Sequence, residues 1–181
     1  MHNIAEEITG EWLRHIKKCE FVEYNVKGPH QTEIDVIGLN IINKEIYVCE
    51  VAAHIHGLQY VDPRKRRPDT ENRFIHKFTK DQEYVQEHFG NFSQHYMLWS
   101  PIVKSSKEGA KYDALKSVLS AREYLKKSGI DLELVINKRY HDAIGDLRKE
   151  ALKQTHDLSN SSVLRYLQIE EYLNKYLSIK K

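Results

Sequence analysis

The chain has 181 residues, 40% of them hydrophobic and 30% charged, with a formal net charge of +2. That length fits one domain with a helical extension, and that composition excludes a disordered chain. No apolar run approaches a membrane span or the core of a signal peptide, so a cytoplasmic protein with no membrane partner is expected. Two cysteines, Cys19 and Cys49, make neither a disulfide framework nor a zinc site and read as buried free thiols.

Ile4, Ile8, Trp12 and Ile16 recur every four positions and predict a helix over 4–18, capped by Asn3, with Glu6 and Glu7 in its first turn. The run "FVEYNV" predicts a strand that stops at Gly28-Pro29. "EIDVIGLNII" and "EIYVCEVAA" predict a hairpin turning on Asn43-Lys44. A helix over 70–89 follows, capped by Thr70, with Phe74, Phe78, Val85 and Phe89 as apolar positions. "QHYMLWSPIV" is the next strand, 111–129 a helix ended by Gly129, and "IDLELVIN" a further strand. From Ala143 onward the chain is mostly helical. A meander followed by strand–helix alternation predicts an α/β fold, a mixed sheet flanked by helices. The expected division is a core over 1–142 and a C-terminal helical extension over 143–181 packed on it.

The hairpin carries the chemistry. A two-residue turn at Asn43-Lys44 sets Asp35 opposite Ala52, Ile37 opposite Glu50 and Glu33 opposite His54. Glu33, Asp35, Glu50, Ala52 and His54 then share one face, with Asp35 and Glu50 diagonal neighbours roughly 7–8 Å apart. Three acids on a face without a basic residue need a positive charge. Two carboxylates with room between them suit Mg²⁺, which takes one or two carboxylates and completes its shell with waters and phosphate.

Helix, strand, "EID-apolar-apolar-G", a short hairpin and "apolar-x-E-V-x" resemble the PD-(D/E)XK nuclease superfamily, closest to its archaeal Holliday-junction-resolvase and Mrr-like branches, over roughly residues 4 to 100. The resemblance implies a restriction-endonuclease-like fold, with Asp35 and Glu50 as ligands of Mg²⁺ or Mn²⁺. It also implies a completing acid from the first helix: Glu7 or Glu11 in preference to Glu6, because they flank the apolar stripe one turn apart. A lysine two positions after the Glu belongs to the same pattern, where it positions the attacking water. Here that position is Ala52. Three explanations stand. Lys80, or else Lys77, on the following helix supplies the cation; His54 takes over; or the site is inactive and the domain only binds.

"PRKRRP" sets Arg64, Lys65, Arg66 and Arg67 in a row just beyond the hairpin, with Arg73 close behind. Such a run suits phosphate contacts that give sequence-independent affinity. His54 and His56, two apart, would share a face of a strand and suit a transition metal. Gln82 and Tyr84 supply the polar helix positions that resolvase-like nucleases often carry.

The expected function is a metal-dependent endonuclease hydrolysing phosphodiester bonds of duplex or branched DNA, as a homodimer or within a larger DNA-processing complex. One rival is an inactive nuclease-like DNA-binding module of a repair, recombination or restriction assembly. The other is an α/β interaction domain whose contact is the C-terminal amphipathic helix.

Overall fold

A computed structural model describes residues 3–28, 33–64, 66–107, 110 and 112–179. Pro29 and Lys65 lie outside them. The elements run α1 (Ile4–His15), β1 (Phe21–Lys27), β2 (Glu33–Asn40), β3 (Glu45–Val51), β4 (Val61–Asp62), β5 (Arg67–Pro68), α2 (Thr70–Phe89), β6 (Ser93–Ser100), α3 (Ala114–Lys127), β7 (Leu132–Ile136), α4 (Lys138–Leu152) and α5 (Ser162–Ile179). Strands β1, β2, β3, β6 and β7 form one mixed sheet in that order. β1–β2–β3 is an antiparallel meander, while β6 and β7 run parallel to β3. The expected α/β class is therefore the observed one. β4 and β5 form a separate two-stranded ribbon in the stretch the sequence assigns to a loop.

Both faces of the sheet are covered, which is why its central strands read as nearly continuous apolar runs. On one face Tyr47, Cys49, Val51, Met97 and Trp99 pack with α1, α4 and α5. On the other, Ile46, Val48, Ala52, Tyr96 and Leu98 pack with Phe74 and Phe78 of α2 and with α3. α1 buries Ala5, Thr9, Trp12 and Leu13, a stripe rotated from the expected one, and Ile4 is left exposed. Gly38 lets α1 approach: a Cβ there would stand 2.9 Å from Cys19 Sγ and 3.0 Å from Leu13 Cδ1.

α4 starts at Lys138, so the expected boundary at 142/143 falls inside a helix whose Ala143, Leu147 and Ala151 are core. Thr70 is the first residue of α2 rather than its cap; Asp69 holds that position, and the Thr70 hydroxyl accepts from the Tyr60 N–H at 3.0 Å. The turn between β2 and β3 takes four residues, 41–44, not two. The register is Val36 to Cys49 and Ile37 to Val48, two residues away from the expected one. A slip of two keeps every side chain on its face. Continued by one pair, it sets Asp35 directly opposite Glu50 instead of diagonal to it.

Candidate metal and phosphate site

Asp35 and Glu50 stand at the end of the β2–β3 pair where the parallel strands end, the side on which open α/β sheets bind ligands. They share the face that α2 covers. Asp35 Oδ2 accepts from the Val51 N–H at 2.7 Å, which fixes its carboxylate against the neighbouring strand. Lys77 comes down from α2 between the two acids. Its Nζ lies 3.2 Å from Asp35 Oδ1, donates to the Glu33 carbonyl at 2.7 Å and contacts Glu50 Oε2 directly. The Glu50 side chain is 7% exposed, and among the described residues Oε2 meets no hydrogen-bond donor besides that ammonium.

The electrostatics follow from burial. Loss of water pushes the Glu50 carboxyl well above the usual range, and the Asp35 charge pushes it further. Burial alone would lower Lys77, but the two carboxylates outweigh it and hold the ammonium charged. Behind Lys77, one turn on, Asp81 is buried, and among the described residues neither of its carboxylate oxygens finds a hydrogen-bond partner. Burial lifts its carboxyl to about 7, against the pull of Lys77.

The three groups open onto a cleft lined also by Glu6, Glu33, Asp69, Asn72, Arg73 and His76. Arg73 is held with its guanidinium 4.2 Å from the centre of the Tyr60 ring. Glu6 is the helical acid that reaches the cleft, not Glu7 or Glu11. It occupies the third position of α1, where its carboxylate closes a capping box with Asn3. Glu11 lies farther along and pairs with Arg14 at 2.8 Å and His15 at 3.3 Å, while Glu7 is absent from the cleft lining.

Of the candidates for the displaced cation, the structure brings in Lys77 and leaves out Lys80. Lys80 sits about 60° farther round the helix from the buried face and pairs with Glu83 at 2.7 Å. Ala52 is core, packed with Leu58 and α2. β3 ends at Val51, so His54 and His56 do not share a strand face. His54 turns to the Tyr60 hydroxyl at 3.3 Å, and His56 lines a different cavity with Lys104 and Tyr112. Arg64, Arg66 and Arg67 are exposed on the β4–β5 ribbon that leads into the Asp69 rim but do not line the cleft. Gln82 is partly buried on α2, and Tyr84 stacks on His88 at 4.3 Å.

Asp81, Asn72 and His76 carry no sequence-level assignment. For Asp81 the signal is the four-residue spacing Arg73–Lys77–Asp81 beside Phe74 and Phe78, which puts three charged groups along the edge of a core-facing stripe.

The carboxylates fit a hard divalent cation. They already converge on one positive charge, and Glu50 Oε2 is buried with no other donor among the described residues. Among the described residues no group of three His, Cys, Asp or Glu side chains forms a complete protein-only metal cage. No described helix is long and apolar enough to cross a membrane.

No protein-family model matches the chain, and no curated protein matches it. Among solved structures it is similar to the crystal structure of a protein of unknown function, AF1548, with a TM-score of 0.41 and 16% identity, over 72% of this chain. The chain spans 58% of that one.

Proposed function

We propose that the chain is a metal-dependent phosphodiesterase acting on DNA, of the PD-(D/E)XK kind, with its motif lysine moved from position 52 to Lys77. The observation that supports this is the convergence of Asp35, Glu50 and Lys77 at the mouth of one cleft. A lysine stem reaching across from α2 puts the ammonium on the face where Ala52 has none.

Asp35 and Glu50 would hold Mg²⁺ or Mn²⁺. When bound, such an ion supplies Lewis-acid polarisation of a phosphoryl oxygen and a more acidic water. Lys77 contributes a fixed positive charge for the negative charge that develops on the phosphate. The Val51 N–H holds Asp35 in place, and Tyr60 holds Arg73 at the rim, where its guanidinium suits a phosphate. Arg64, Arg66 and Arg67 would add salt-sensitive affinity along the backbone.

The test is cleavage of supercoiled plasmid and of branched duplexes with Mg²⁺ or Mn²⁺, in the wild type and in Lys77→Ala. A Mg²⁺-dependent shift in thermal unfolding, lost in Asp35→Asn, reads the metal site without activity. Cleavage by the wild type and loss in Lys77→Ala are expected. DNA binding and metal binding without cleavage would leave a binding module. Neither metal nor DNA binding would sink both.

A further inference from the structure

α5 is apolar on two sides. Val163, Leu164 and Leu167 face the core. Tyr166, Ile169, Leu173 and Leu177 form a second strip turned away from them, each between 51% and 64% exposed. A helix that is apolar most of the way round is one that is covered most of the way round. From Tyr172 to Ile179 every residue is exposed, so that end is a two-turn helix carried beyond the core, and so short a stretch is marginal without tertiary packing. Beside Tyr166 the strip continues into an apolar groove formed by Ile4, Ile8, Ile144 and Leu147.

We propose that this strip is a homodimer interface, in which α5 pairs antiparallel with α5 of a second copy across a two-fold axis at Leu173. The proposal is independent of the nuclease reading. A two-fold interface must be complementary to itself. Leu173 meets Leu173 at the axis, and the residues four before and four after, Ile169 and Leu177, are both aliphatic, so each meets the other twice. The same pairing brings the end of each α5 alongside the other copy's Tyr166 and its groove. The strip, Tyr176 beside it and the adjoining groove with its exposed Ile4 together present on the order of 800 Å², what each partner buries in a standard-size stable interface. A lipid surface fits less well. Helices that lie in membranes carry a basic polar face, whereas α5 balances Arg165 and Lys175 against Glu170 and Glu171.

The test uses the full chain. Light scattering or sedimentation from 1 to 100 µM (concentrations of about the range in which standard-size interfaces associate) should give twice the monomer mass. Leu173→Glu should shift the dissociation constant at least about 100-fold, as expected of a buried central contact, with the thermal unfolding curve and far-UV spectrum of the monomer retained. Leu173→Cys should crosslink to itself on mild oxidation, because Cys19 and Cys49 are both buried, while Lys175→Cys, on the opposite side of the helix, should not. A protein that stays monomeric at all concentrations overturns the proposal. So does a dimer that Leu173→Glu leaves intact, or a monomer that sediments with phosphatidylcholine vesicles, which would assign the strip to lipid.

Discussion

The two ends of the β2–β3 hairpin carry carboxylates in opposite circumstances. At the turn end Glu45 accepts from the Tyr47 hydroxyl at 3.0 Å and lies 3.6 Å from His95 Nε2, with its side chain 29% exposed. Its partners sit on its own strand and the next one, and water is at hand. At the other end Glu50 is desolvated, faces a second acid and depends on an ammonium from a separate helix. A carboxylate paired locally in water contributes little, and either partner can be lost cheaply. A buried pair of acids around one cation is costly unless that cation is present. The second arrangement is the one that would accept a replacement cation or a phosphate-bound metal.

The largest expected effect is at Lys77. Lys77→Ala should reduce any metal-dependent cleavage at least about 100-fold. It should also destabilise the fold by about 2–4 kcal/mol at pH 7, because two acids are left facing each other. Urea unfolding measures the second quantity whether or not the chain is an enzyme. A loss below about 0.5 kcal/mol would mean the site end is no more strained than the turn end.

Asp81 gives the next effect, through pH. Its folded carboxyl lies near 7 against an ordinary 3.8. A raised carboxyl favours the folded state most when protonated, so stability is fully present below about pH 4, falls as pH rises toward 7, and is flat above. Asp81→Asn should remove about 1–3 kcal/mol of the stability difference between pH 5 and pH 8. Equal pH profiles in the two proteins would show that water reaches Asp81.

Changing Arg64, Arg66 and Arg67 together to Ala should weaken DNA binding roughly ten-fold for every sequence and flatten its dependence on salt. Unchanged affinity in a filter or anisotropy assay would leave the β4–β5 ribbon as a solvated loop. Smallest of all, Glu45→Gln should cost under about 1 kcal/mol, as an exposed pair does. Lys80→Ala should leave cleavage within about two-fold, since Lys80 turns away from the acids to pair with Glu83.

What the sequence determined was parity and pattern. The alternation of β2 and β3 puts Asp35 and Glu50 on one face even though the turn is two residues longer than the sequence predicts, because a strand repeats every two. The apolar spacing of α2 gave its bounds, 70–89, because a helix facing a core repeats every 3.6. The cap at Asn3 was legible from its place just before the apolar stripe, while the reciprocal bond from Glu6 came from the structure. Only the tertiary structure decided between Lys77 and Lys80, and between Glu6, Glu7 and Glu11. Those choices depend on how far each helix is rotated about its axis, and a rotation of one residue is about 100°. It is fixed by the packing of Phe74 and Phe78, and of Trp12 and Leu13, on a sheet whose strands come from elsewhere in the chain. Burial of Asp81 is of the same kind: an acid in an otherwise polar stretch reads as exposed until the sheet closes over it.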